Sequence, residues 1–412
     1  MERVKSILEF VRASVRMMTT GGPLYWAWIV GLLALIGWGG LAYVDQLEQG
    51  LGVTAMRDPV SWGFYIGNFT FLVGVAAAAV VLVIPAYVYN WKPIKEIVVI
   101  GELLAISAII MCIGFVTVDV GRPERAWHLM PFIGGPNFPR SLLAWDVLVL
   151  NLYLVLNVTI AAHMLYRGYR GRPYSKRFAL PLIMLSIPAA VSIHTVTAFL
   201  FSGLASRPYW NAAILAPRFL TSAFCSGPAI ILVLLQILRK TADLRIKDEA
   251  LWKIAELMAY AMFINLFLFG AEIFREYYSN THHLVHYTYL FSGIGEHRSI
   301  VVFGWASVIC STAAFLLFLV PKTRRNPITL NLGALLIYSG CYIEKGVALV
   351  IPGFTPSVIG EIYEYTPSWT EVRVAAMVFS VGFLAFTLMI KVAIPIMMGT
   401  VPGRAAAQPA TG

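Results

Sequence analysis

Seven ionisable side chains stand inside or at the edge of long apolar runs: Asp119, Asp146, His194, Arg218, Glu272, Glu344 and Lys345. A charge near the centre of a bilayer costs about 2.5–3.5 kcal/mol even on lenient insertion scales. A chain that keeps several such groups has a use for them. Carboxylates, an imidazole and two cations at one depth suit a molecule that takes up or releases protons as it is oxidised or reduced. A quinone fits: its ring and tail want an apolar cleft, and its two oxygens want donors and acceptors. In this reading His194 and Asp146 exchange protons, with Asp119 at the same height. Arg218 and Arg122 orient the head group or stabilise its anion, and Glu272 and the Glu344-Lys345 pair link the site to solvent. Asn68, in the small-residue segment after Trp62, is a further candidate for the head group.

The elements that must position these residues are membrane-spanning helices. The chain has 412 residues, 59% hydrophobic and 13% charged, with a mean hydropathy of +0.75, outside the range of water-soluble domains. Apolar runs long enough to cross about 30 Å of hydrocarbon lie at 24–44, 61–89, 97–119, 141–166, 178–203, 211–238, 251–278, 299–320, 328–352 and 373–398. A transmembrane β-barrel would show short alternating segments, so the expected fold is an all-α integral membrane protein with ten transmembrane helices. No connecting loop is long enough to carry its own core. The chain therefore reads as a single polytopic domain, with residues 399–412 as a flexible tail.

Orientation follows from the basic residues. Of the 31 Lys and Arg, 20 fall on the side of the N-terminus and the even-numbered loops, 8 on the other side and 3 within spans. Both termini are expected in the cytoplasm of a cell whose cytoplasmic (inner) membrane holds the chain. The net charge of +10 is then a consequence of topology, and no nucleic-acid partner is expected. Residues 1–20 form a basic amphipathic stretch with Arg3, Lys5, Arg12 and Arg16, rather than a cleaved signal. The outer loops are the chemically distinctive ones: 120–140 is rich in Pro, Gly and aromatics, and 279–298 carries four histidines. Such loops suit a partner subunit, although they could also simply cap the bundle.

The seven groups share a level because the spans alternate in direction. Asp119 ends the third run at a Gly-Arg-Pro turn, and Asp146 follows about 7–8 Å into the fourth. His194 lies past the middle of the fifth, and Arg218 in the outer third of the sixth. The inner halves hold fewer ionisable groups: Glu102, Glu256 and His163, candidates for a proton path from the cytoplasm. The bland alternative is that the charges are ion pairs that fix helix register.

The four cysteines each lie alone in a span, so no iron–sulfur cluster or zinc site is expected. His194 is the only histidine near mid-span, one ligand short of the two that a membrane haem b usually needs. The loop histidines His282, His283, His286 and His297 suit a solvated or partner-facing loop better than a metal site.

Several motifs resemble the NrfD/PsrC membrane subunits of polysulfide-reductase-type complexes: WGFYIGNFTF from Trp62, VDVGRPERAWHL from Val118, LLAWDVLVLN from Leu142, and SIHTVTAF with RPYWNAAILAPRF between Ser192 and Phe219. With EKGVALVIPGFTP from Glu344 and GEIYEYTPS from Gly360, they are most similar to the DsrP branch, found in the DsrMKJOP complex of sulfur metabolism. The resemblance implies two four-helix bundles as an inverted pseudo-repeat plus two peripheral helices. It also implies a menaquinone or menaquinol site near the outer face that matches Asp119, Arg122, Asp146, His194 and Arg218, with Glu272 and Glu344 as neighbours. Implied partners are an extracytoplasmic ferredoxin-like iron–sulfur subunit, a cytochrome c and further redox subunits. Related subunits serve quinone reductases and alternative complex III, so the branch is less specific than the family. A secondary transporter and a purely structural anchor are the rival readings.

Overall fold

The computed structural model describes residues 2–76, 78–95, 97–130, 133–242, 244 and 246–401. Arg245, Arg404 and most of the expected tail lie outside the described residues. Among the described residues there is no strand beyond two isolated bridges, Arg57 to Val60 and Ile294 to His297. Ten helices among the described residues are long and apolar enough to cross a membrane, as a backbone in hydrocarbon must satisfy its own hydrogen bonds. We label α1 Glu2–Met18, α2 Pro23–Gln49, α3 Phe64–Val88, α4 Val98–Asp119, α5 Leu142–Tyr169 and α6 Lys176–Ser202. There follow α7 Leu215–Thr241, α8 Asp248–Ser279, the short α9 Leu284–Phe291, α10 Val301–Leu319, α11 Pro327–Gly346 and α12 Trp369–Met398.

Local chemistry sets several ends. Ser368 and Glu371 form a capping box at the start of α12: each side chain accepts from the other's backbone N–H, at 3.2 and 2.9 Å. Pro85, which lacks an N–H, lies in the last turn of α3, where Ile84–Val88 widens to a π-helix and Tyr89 N–H reaches back to Ile84 O. α11 stops after the Glu344-Lys345 pair. At 347–349 a hydrogen-bonded turn interrupts the regular helix, with Ala348 N–H reaching back five residues to Ile343 O at 2.8 Å, and the helix resumes for one turn at Val350–Phe354.

Two rings of helices result. α3 packs on α4, α4 on α5, α5 on α6, and α6 back on α3; likewise α7 on α8, α8 on α10, α10 on α11, and α11 back on α7. α2 and α12 pack on each other, and α12 on α4 outside the first ring. The rings join through α3 against α7 and α11, and α6 against α7. At the α3–α11 crossing the backbones nearly touch, so that a Cβ on Gly67 would collide with the Gly346 carbonyl. Four spans is an even number, so the first helix of each ring runs in the same direction. Superposing the rings in chain order therefore preserves direction rather than inverting it.

The starts of α3, α5, α7, α10 and α12 meet the ends of α2, α4, α6, α8 and α11 at one face. Contacts between its loops tie that face together. Tyr363 donates to Ala55 O at 3.1 Å, the Glu371 carboxylate accepts from Ala55 N at 2.8 Å, and Trp210 donates to Leu349 O at 2.8 Å. The opposite face carries α1 and most of the described lysines and arginines.

Candidate functional site

The break in α11 leaves carbonyls that no helix satisfies. Tyr209 donates to Ala348 O and Trp210 to Leu349 O, both at 2.8 Å, from the loop before α7. The last full turn of α11 is thereby pinned beside α7 and α8, and its two charges enter a buried cluster. Arg218 of α7 bonds Glu272 of α8 through one terminal nitrogen and Glu344 of α11 through the other, the second at 2.8 Å. Asn265 donates to the remaining Glu344 oxygen at 3.0 Å, and Lys345 Nζ lies 3.7 Å from Glu344. The cations also rest on aromatic faces, Arg218 over Phe269 at 4.4 Å and Lys345 over Phe219 at 4.1 Å. All four charged residues are 4–6% exposed. Two cations and two carboxylates balance, which is how such a group survives in hydrocarbon.

Asp146 and His194 lie in the neighbouring ring. Asp146 accepts from the Thr197 hydroxyl at 2.8 Å, one turn of α6 beyond His194. The His194 Nδ1 meets Ala190 O at 2.6 Å. A carbonyl only accepts, so Nδ1 carries the proton, and Nε2 is left buried without a hydrogen bond. No hydrogen bond joins His194 to Asp146 among the described residues, while Lys345 is near enough for its charge to act on the imidazole.

Asp119 belongs to a third group under the loop-bearing face. Its Oδ1 is buried and unpaired, and Glu371 and Tyr65 lie within electrostatic reach. Tyr65 donates to Gln46 Oε1, and Gln46 donates to Val118 O, both at 2.7 Å. Glu371, absent from the sequence-based set, is fully buried at the centre of this group. Tyr365 donates to it, and it accepts from Ala55 and Ser368. Its signal in the sequence was the capping pattern Ser368-x-x-Glu371.

Asn68 bridges helices: it donates to Phe64 O and accepts from the Tyr342 hydroxyl, both at 2.8 Å. Arg122 lies apart, its side chain 74% exposed and 3.6 Å from Glu124. Of the inner set, Glu102 is fully buried with neither carboxyl oxygen bonded. Glu256 pairs with Lys253 at 3.0 Å and Arg324 at 3.3 Å near the opposite face. His163 accepts from Ser175 N–H at 3.2 Å. These three do not form one hydrogen-bonded chain. Among the described residues no group of three or more His, Cys, Asp and Glu could hold a metal ion.

A cavity of about 300 Å³ adjoins the site beneath the loops. It is walled by Phe64, Tyr342, Gly346, Val347, Phe303 and Tyr365, among others, so the end of α11 and the start of the turn after it form one side. Its hydroxyls are directed by what they bond: Tyr342 by Asn68, Tyr365 by Glu371, and Ser299 by Glu364 at 3.0 Å. Burial, then the Glu371 carboxylate, pushes the Tyr365 hydroxyl far above the ordinary phenol range. Burial raises Tyr289, also in the wall, to about 12. Both stay protonated donors. The volume sits at the lower end for small-molecule sites and suits a flat bicyclic ring whose hydroxyls donate to the Tyr342 and Tyr365 oxygens, since the protons of those two phenols are already given to Asn68 and Glu371.

Comparison with known proteins agrees in family. The model of the family "Polysulphide reductase, NrfD" matches residues 52–355. A Halobacterium salinarum protein assigned as the membrane subunit of a dimethyl sulfoxide reductase is 26% identical, covering 87% of this chain and 88% of the relative. A selenate reductase subunit of Mesobacillus selenatarsenatis is 24% identical over 88% and 91%. The Hdr-like menaquinol oxidoreductase integral membrane subunit of Archaeoglobus fulgidus is 24% identical over 88% and 93%.

Proposed function

The chain belongs to the polysulphide reductase NrfD family, and from that premise we propose that it is the quinone-reactive membrane subunit of a multi-subunit respiratory oxidoreductase. The observation that carries the proposal is the cavity at the end of α11, one residue from the buried Glu344-Lys345 pair. A relative named for menaquinol supports menaquinone or menaquinol as substrate.

In this reading the quinone ring lies between Tyr342 and Tyr365, whose hydroxyls meet its two oxygens. Oxidising a quinol releases two electrons and two protons. The electrons pass to an iron–sulfur subunit docked on the loop-bearing face, which is the outer face, and the reverse reaction uses the same groups. One proton leaves through Tyr365 to Glu371 and Asp119, beneath the outer loops. The other reaches the Arg218, Glu272, Glu344 and Lys345 cluster, with His194 and Asp146 behind it and Glu102 toward the inner face. The exposed loop residues Trp127, Ile133, Val358 and Ile359 supply an apolar surface for the partner. The likeness of motifs to the DsrP branch favours a complex of sulfur metabolism, ahead of a quinone reductase or an alternative complex III.

The test is quinol-dependent reduction of the partner's iron–sulfur clusters in the assembled complex. Tyr342→Phe and His194→Ala should slow it, whereas a purely structural anchor predicts no change. The broken α11 is also a transporter feature. Substrate flux into vesicles without any redox partner would favour that reading instead.

A further inference from the structure

A second, larger cavity of about 530 Å³ lies far from the site, near the lysine- and arginine-rich face. It opens sideways between the last turns of α3 and the first half of α8, with Phe224 of α7 at its back. Its walls are apolar: Val81, Ile84, Phe224, Leu257, Ala261 and Ile264. The rim is aromatic and cationic, with Tyr89, Trp91, Tyr260 and Lys253. The π-helical turn at Pro85 moves the end of α3 aside and forms one edge.

We propose that this groove binds one phospholipid with an anionic head group. Length is the first argument. From Lys253 to Ile264 the α8 wall runs about 16 Å at 1.5 Å per residue, half of a hydrocarbon core of about 30 Å. An acyl chain from one leaflet fills it end to end, whereas a quinone ring would fill a fraction and find its polar groups on one side only.

Charge is the second argument. Lys253 is the cation in the wall; the turn Lys92–Lys95 packs against α8 and follows directly on Trp91 of the rim, which brings the exposed Lys92 to the same end of the groove, while Lys95 is held by Asn90 Oδ1 at 3.3 Å. Arg324 stands behind, 3.3 Å from Glu256. Glu256 is the carboxylate nearest the mouth, and Lys253, Tyr260 and Arg324 already hold it. A phosphodiester between the lysines completes the pairing, and the tryptophan and tyrosines at the rim place it at the interface.

The experiment is native mass spectrometry of the purified complex in neutral detergent, titrated with phosphatidylglycerol, phosphatidylcholine or menaquinone. The wild type should retain one phosphatidylglycerol per chain in preference to phosphatidylcholine. Lys92→Gln with Lys253→Gln should weaken that retention about thirty-fold, at roughly 1 kcal/mol per lysine, while Lys322→Gln leaves it unchanged. Ile264→Trp, which fills the groove from its exposed side, should abolish it. Equal retention of both lipids, unchanged retention in the double variant, or displacement of the lipid by menaquinone would each overturn the assignment.

Discussion

Arg218 commits its two terminal nitrogens to carboxylates from two other helices, so no part of that cluster can be removed alone. Arg218→Ala leaves two carboxylates facing each other in hydrocarbon and should destabilise the protein by about 3–5 kcal/mol, read as denaturant unfolding in detergent. Tyr342→Phe removes only a hydroxyl bonded to Asn68. It should leave the fold intact and lower quinol-dependent turnover about tenfold, the scale of one buried hydrogen bond. His286 gives a pH prediction. It is buried beside Tyr209, and that burial holds it below the ordinary imidazole range. A folded-state value below the unfolded one means that unfolding takes up a proton as pH falls through about 6.5. Stability should therefore drop on acidification below that point, and His286→Gln should flatten the drop in thermal unfolding at pH 5 to 7.

At the scale of elements, the close crossing of α3 and α11 holds the cavity in shape. Gly67→Ala drives a methyl into the Gly346 carbonyl, so the helices must part. The expected cost is about 1–3 kcal/mol, accompanied by loss of activity, and Gly52→Ala, which meets nothing, serves as the control. Much of this architecture is legible in sequence, because bilayer thickness dictates run length and the run ends fall near the helix ends. Depth along a run is legible too, which is why Arg218, Glu272, Glu344 and Lys345 read as one level and meet in space. Rotation about the helix axis is not. Asp146 and His194 share that level yet face the core of another ring, and Arg122 follows the end of α4 into solvent. The cavity was illegible because it depends on loop residues such as Ser299 and Tyr365 meeting the end of α11, where an irregular turn at 347–349 interrupts a run that reads as continuous helix. Glu371 was missed because it stands two residues before the apolar run that starts at 373.

Across the whole molecule, two four-helix rings hold one polar layer near a face whose loops are knitted together, while the opposite face is basic. In the proposed orientation, which follows from that asymmetry, the loops lie outside, and cysteines placed at Gly52 and Thr323 should label from the outer and inner sides respectively in intact cells. The reverse pattern would relocate the site and its partner to the cytoplasm. The most direct measurement is the rate at which added menaquinol reduces the partner's iron–sulfur clusters in the purified complex, with Val347→Trp, which narrows the cavity, set beside the wild type. The account predicts rapid reduction in the wild type and little in the variant, with both complexes fully assembled. Equal rates in the two would contradict it.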